Sequence, residues 1–250
     1  MGILDNRVAI ITGAGGGLGA AHAKVFAAEG CAVIVNDINE AAAQAVVDEI
    51  IAAGGKAAVN TSDITHYAQG GEAVKQAIDT FGDLNIVVNN AGVNRDRMFA
   101  SMTEAEWDTI MAVHLKGHFC ISSNAVQYWR DQSKAGKAVD ARIINTTSGA
   151  GLQGSIGQSN YACAKAGIAA LTLNQAAELG RYGITANAIA PAARTGMTTA
   201  VEAMATRMAK PEDGSFDYWA PENVSSLIAW IASTDSQEVS GRVFESEGGK

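Results

Sequence analysis

Short apolar runs rich in β-branched residues alternate with longer alanine-rich stretches from one end of the chain to the other. The runs are Val8–Ile11, Ala32–Val35, Ala57–Val59, Asn85–Val88, Arg142–Asn145, Thr185–Ile189 and Arg242–Phe244. Most are apolar throughout instead of at every second position, as in strands covered on both faces of a parallel sheet. The stretches between them predict helices. One spans Glu40–Ala53 and is closed by Gly54 and Gly55, a C-cap signal. Another opens at the glycine-rich segment Thr12–Gly19 and runs to about Glu29. Strand and helix alternating in this way predict an α/β fold: a single doubly wound parallel sheet with helices on both faces. Asp131–Asp140 is expected to be a surface loop, and Thr195–Pro221 an irregular segment. With no repeat or linker, residues 1–250 are expected to form one domain.

Composition narrows the function. At 250 residues, 48% hydrophobic and 18% charged, the chain can bury a large core and is not a disordered acidic segment. The net charge of −8 comes from scattered acidic residues, and without a basic stripe no nucleic-acid partner is expected. Cys31, Cys120 and Cys163 are far apart and lack metal-ligand spacing, so they are expected to be reduced packing residues and no metal is expected. The first residues lack the apolar core of a signal peptide, and no apolar run approaches the ~20 residues that cross a bilayer. The expectation is a cytoplasmic protein without a membrane partner.

Thr12-Gly13-Ala14-Gly15-Gly16-Gly17-Leu18-Gly19 follows the first strand directly and opens a helix. Glycines there let the backbone approach a pyrophosphate, whose charge meets the helix N-terminus. Alone, such a loop could be a turn with no ligand. Its place in the first strand–helix junction, with Asp37 ending the second strand, points to a dinucleotide in a Rossmann-type domain. The Asp37 carboxylate can accept hydrogen bonds from the ribose hydroxyls and would repel a 2′-phosphate, and no Lys or Arg lies nearby in sequence to offset it. The expected cofactor is NAD. Asp37 can also serve as the N-cap of the next helix.

Tyr161-Ala162-Cys163-Ala164-Lys165 places a phenol and an ammonium four residues apart on one helix face, and Ser148 lies thirteen residues upstream of the tyrosine. A tyrosine pKa of about 10 is too high for a base at neutral pH. The Lys165 cation, together with the positive nicotinamide, is expected to lower it. Ser148 would then hold the substrate oxygen while Tyr161 moves its proton. In isolation such a pair could be a surface contact; behind a dinucleotide loop it is chemistry.

The residues Thr12–Gly19, Asn89-Asn90-Ala91-Gly92, Ser148 and Tyr161-to-Lys165 resemble, in order and spacing over nearly the whole chain, the short-chain dehydrogenase/reductase family. The resemblance implies Tyr161 as acid/base, Ser148 as orienting group, and Lys165 as both tuner of Tyr161 and ligand of the nicotinamide ribose. It further implies cofactor contacts at Gly13, Gly17, Leu18, Gly19, Asp63, Ile64, Asn90 and Gly92, with Asp63 and Ile64 flanking the adenine. Asn89–Gly92 can also be a strand-end turn. A homotetramer is implied too.

The sequence departs from the family pattern where a helix asparagine is usual. His114 stands there, either as a satisfied core histidine or as the holder of a relay water. Ala192 replaces a usual glycine, and Thr195, the implied nicotinamide contact, comes one residue early. Val113–Gly117, Asn94–Arg97, Ile189–Ala193 and Ser240–Glu245 are similar to one branch, the β-hydroxyacyl-CoA dehydrogenase unit of peroxisomal multifunctional enzyme type 2 and its bacterial relatives. Met197, Met204 and Met208 are either core filler or part of a lid suited to a bulky apolar substrate. The implied activity is oxidation of a β-hydroxyacyl-CoA or a hydroxysteroid-like alcohol. The alternatives are a 3-ketoacyl-carrier-protein reductase, disfavoured by Asp37, and a non-catalytic NAD(H)-sensing protein, disfavoured by the intact Ser148, Tyr161 and Lys165.

Overall fold

The computed structural model describes residues 2–200 and 202–249. Met1 and Lys250, the ends of the expected 1–250 unit, and Val201, inside the expected irregular segment, lie outside them. In chain order the strands and helices are β1 (Val8–Thr12), α1 (Gly17–Ala28), β2 (Ala32–Asn36), α2 (Glu40–Ala52), β3 (Lys56–Asn60), α3 (Tyr67–Phe81), β4 (Ile86–Asn89), α4 (Glu104–Ile110), α5 (Gly117–Lys134), β5 (Ala141–Thr146), α6 (Gly149–Gln153), α7 (Ser159–Leu179), β6 (Ile184–Ala192), α8 (Gly196–Thr199), α9 (Glu202–Arg207), α10 (Glu222–Ala232) and β7 (Val243–Glu247). All seven strands expected from the apolar runs are present. They form one parallel sheet in the order β3-β2-β1-β4-β5-β6-β7.

Apolar side chains project from both faces of the strands, because each face carries a helical layer. Ile11, Val33, Val35 and Val88 pack with Phe26, Val46, Ile50 and Ile228 from α1, α2 and α10. Ile10, Ile34, Val87 and Ile143 pack on the other side with Val74, Ile121 and Trp129 from α3 and α5 and with Leu179 of α7. Local signals set the helix ends. The Asn39 side chain caps α2 by accepting from the Ala42 amide at 3.2 Å, and Gly54 beyond its C-terminus sits at φ +86°, a left-handed conformation suited to glycine. Thr103 and Glu106 form a reciprocal capping box at the start of α4.

Two expectations fail. The expected Asp131–Asp140 loop begins later, because α5 continues to Lys134 and stops only where Gly136 takes φ +78°. Asp37 does not cap α2; Asn39 does. Between α4 and α5 the helix widens into a π segment, Met111–Lys116, which contains His114. Such widenings recur at functional sites.

Buried asparagines near the carboxyl ends of the strands stiffen that edge of the sheet. Asn36 donates to Asn60 at 2.6 Å across β2–β3. Asn89 donates to Asn145 at 2.9 Å across β4–β5, and Asn145 donates to Thr172 and Gln175 of α7 at 2.9 and 2.8 Å. Buried hydrogen bonds of this kind tie together the elements they join.

Candidate active site

At the carboxyl edge, where β1 adjoins β4 and the winding direction reverses, a cleft of about 330 Å3 opens. Ligands of open α/β sheets bind at such a switch point. Gly13, Gly17, Leu18, Asp37, Asn90, Gly92, His114, Ser148, Tyr161, Lys165 and Thr195 all line it, whereas Gly19, Asp63 and Ile64 do not.

The glycine loop forms one wall. Gly13 and Gly17 have φ of +63° and +53°. A Cβ on Gly19 would lie 2.2 Å from the Gly13 carbonyl oxygen, so Gly19 acts behind the wall by letting α1 close against the loop. No side chain caps the N-terminus of α1, which leaves its first amides for an anion. Thr12 and Asn90 lock the loop to β4. The Thr12 hydroxyl accepts from the Asn90 and Ala91 amides at 3.0 and 3.1 Å, and the Asn90 side chain donates to the Thr12 and Gly13 carbonyls at 3.0 and 3.2 Å. Asp37 is held by the Gly15 amide at 3.0 Å and the Asn39 amide at 2.9 Å. Each carboxylate oxygen retains a lone pair for a ribose hydroxyl. A positive-φ glycine wall, an uncapped helix end and a pre-oriented carboxylate together fit an adenine dinucleotide. Asp63 instead accepts from the Thr65 amide and hydroxyl, and Ile64 is buried against Gly117. They sit beyond the end of β3, outside the cleft.

The reacting groups converge at the inner wall. Ser148 caps α6, its Oγ accepting from the Ala150 amide at 3.2 Å, which leaves its proton free to donate. A Cβ on Gly151 would meet the main chain of Lys165 and Ala166 at 2.6 Å, so only glycine lets α6 seat on α7 and place Ser148 beside Lys165. Tyr161 and Lys165 share one face of α7, with the Lys165 Nζ 5.4 Å from the centre of the phenol ring. Lys165 is 2% exposed, and its Nζ donates to the Thr146 carbonyl at 2.7 Å. Burial lowers its pKa to about 7. Burial also raises the Tyr161 pKa, with Ser148 pulling it down by hydrogen bonding and the Asp96 charge pushing it up. The lowering expected from Lys165 is therefore not the dominant effect: in this dry site both partners resist charging.

His114 is buried edge-on to the Tyr161 ring, 5.2 Å between centres, and its Nε2 lies 2.8 Å from the Val93 carbonyl and 3.1 Å from the Val93 amide. Burial lowers its pKa to about 3, so the ring is neutral. Its Nδ1 has no partner. Gly92 makes room for it, since a Cβ there would come 2.5 Å from Cε1. Thr195 caps α8 through a reciprocal pair with Thr198 and faces Gly17 across the cleft. The methionines divide: Met197 lines the cleft and Met208 is buried in the body of the protein. Arg194 ties the segment down, its guanidinium paired with Asp217 and donating to the Met208 carbonyl at 2.9 Å. Cys31 and Cys120 are buried packing residues as expected, but Cys163 is exposed because it faces outward on α7.

Residue patterns alone overlooked Thr146 and His118. The last follows His114 by one helical turn, a spacing that marks a shared face. Among the described residues, no group of His, Cys, Asp or Glu is arranged to hold a metal, and no helix is long and apolar enough to cross a membrane.

A sequence profile of the short chain dehydrogenases matches residues 7–206. The hydroxyacyl-CoA dehydrogenase ChsB1 of Mycobacterium tuberculosis is 48% identical over 248 residues, covering 96% of this chain and 77% of that protein. The mouse peroxisomal multifunctional enzyme type 2 is 39% identical over 253 residues, covering 96% of this chain but 31% of that longer protein. A crystal structure of a short chain dehydrogenase from Mycobacterium avium superposes with a TM-score of 0.90 at 54% identity, covering all of this chain and 84% of that one. The chain belongs to the short-chain dehydrogenase family, and it is an oxidoreductase acting on CH–OH groups.

Proposed function

We propose that the protein is an NAD-dependent dehydrogenase that oxidises the secondary alcohol of a β-hydroxyacyl thioester, or of a hydroxysteroid of comparable bulk, to a ketone. The observation that carries this reading is one cleft with Asp37 at its adenosine end and Ser148, Tyr161 and Lys165 at its inner wall. A fixed carboxylate at Asp37 favours a free ribose 2′-hydroxyl over a 2′-phosphate. The names of the relatives at 48% and 39% identity support the acyl-thioester class, and Met197 on the cleft wall suits an apolar substrate.

In this reading the Ser148 hydroxyl donates to the substrate oxygen, which fixes the carbinol proton toward Tyr161. The Tyr161 phenolate accepts that proton as general base. When bound, NAD⁺ supplies the hydride acceptor and a positive ring charge. Lys165, anchored on Thr146, lies beside the phenol and presents its remaining donors to the ribose. His114 contributes no charge; it pins the Val93 peptide at the cleft floor through its Nε2. Because burial raises the Tyr161 pKa, alcohol oxidation is expected to rise with pH through the alkaline range.

The test is a spectrophotometric screen of NADH formation across β-hydroxyacyl-CoAs of graded chain length and a set of hydroxysteroids, with NADP as the competing cofactor. The reading requires turnover of a member of these classes with NAD preferred. Preference for NADP, or turnover confined to carrier-protein-linked substrates, contradicts it.

A further inference from the structure

Behind the reacting groups lies a second buried histidine that the proposed chemistry does not use. His118 sits near the start of α5, one turn beyond His114, and is 1% exposed. Its Nε2 faces the Thr146 amide at 3.4 Å, and the carbonyl of that same residue receives the Lys165 ammonium at 2.7 Å. Its ring also lies against main-chain groups of His114 and Asn89, while Nδ1 makes no hydrogen bond. We propose that His118 is a positioning residue for Lys165: an imidazole whose bare Nε2 receives the Thr146 N–H and so fixes the residue whose carbonyl holds the lysine. The inference rests on the reading of Lys165 given above.

Geometry dictates the tautomer. The Thr146 amide is a donor, so the nitrogen facing it must be an acceptor, and in a neutral ring the proton then resides on Nδ1. A doubly protonated ring would set a donor against a donor. Burial, first, and then the neighbouring Lys165 on α7 and the His114 ring one turn back oppose protonation of His118, whereas the carbonyls of His114 and Asn89 favour it. From the sheet, the uncharged Thr146 of β5 and Asn89 of β4 face it. Loss of the acceptor leaves Thr146 less well fixed, so Lys165 holds its proton less firmly and the phenolate of Tyr161 loses support.

Two measurements test this. With four histidines in the chain, nitrogen NMR of the wild-type protein can identify each tautomer by substitution. His118 should show a bare Nε2 and a protonated Nδ1 from pH 5 to 9; a protonated Nε2 overturns the proposal whatever the activity. The second is the pH profile of kcat for alcohol oxidation in His118→Phe and His118→Gln. The Phe variant should move the rising limb alkaline by about one pH unit, a loss of about tenfold at pH values below both limbs that closes only above the shifted one. The Gln variant, which retains an acceptor, should stay within about threefold of wild type. Equal loss at every pH with an unmoved limb, or Gln as impaired as Phe, overturns it. Activity that survives Tyr161→Phe would sink the catalytic reading instead and leave the tautomer result standing.

Discussion

Lys165→Met should stabilise the protein at neutral pH while abolishing its activity. The ammonium is fully enclosed, and burial carries its pKa from 10.5 to about 7. That gap corresponds to on the order of 5 kcal/mol of cost for keeping the charge inside the fold. The folded pKa lies below the unfolded one, so between them the unfolded chain binds the extra proton. The penalty is therefore fully present below pH 7 and fades as pH rises toward 10.5. Methionine has similar length and no charge, but it leaves the Thr146 carbonyl without its donor, at a cost of about 1–3 kcal/mol. The net gain at pH 6.5 is about 2–4 kcal/mol, or on the order of 5–10 °C in Tm for a chain of this size. At pH 10 the gain should vanish or reverse. Thermal unfolding followed by circular dichroism at pH 6.5 and 10, wild type against variant, measures this difference directly. A variant no more stable than wild type at pH 6.5, or a difference independent of pH, would refute the assignment of Lys165 as a charge held at a cost to the fold.

Asp37→Ala should lower the ratio of kcat/KM for NAD over NADP by about tenfold, since one charge repulsion is removed; an unchanged ratio would count against its ribose role. Gly92→Ala should reduce kcat about tenfold or more with a smaller change in cofactor Kd, because its Cβ would displace the His114 ring; wild-type kcat would show that the His114–Val93 contact is dispensable. His22, enclosed between α1 and α10 against Ser225 and depressed to about pKa 3 by burial, also sets a pH dependence. The unfolded chain takes up its proton near pH 6.5 while the folded one does not, so stability should fall as pH drops from 6.5 toward 3. His22→Asn should flatten that fall in urea midpoints measured between pH 4 and 7, and an identical slope in the variant would exclude this origin.

The sheet was legible because strands covered on both faces are apolar at nearly every position, and most of the seven runs from Val8 to Phe244 carry that mark. The glycine loop and the Tyr161–Lys165 spacing were legible for a related reason: positive φ and one helical turn are local demands that residue types reveal. The extension of α5 to Lys134 was not, since Asp131–Lys134 is polar on every side and differs from a loop only in where Gly136 stops it. The caps of α2 and α8 depended on which of several adjacent polar residues reaches the free amides, a choice made by backbone geometry. That the turn after β3 ties Asp63 to the Thr65 amide and hydroxyl was not legible either. His118 and Thr146 escaped notice because their meaning lies in a contact across the sheet edge, between residues 28 apart in sequence. The direction of the Tyr161 pKa escaped for another reason: the motif shows a neighbouring cation but not the dryness that outweighs it.

The central claim is that the phenol of Tyr161 is the acid/base of a cleft shared with the dinucleotide. Tyr161→Phe, which removes a single oxygen, should lower kcat about 10²- to 10⁴-fold while the dissociation constant for NADH, read by fluorescence titration, stays within about threefold of wild type. Retention of substantial turnover, or loss of NADH binding in step with activity, would contradict the account.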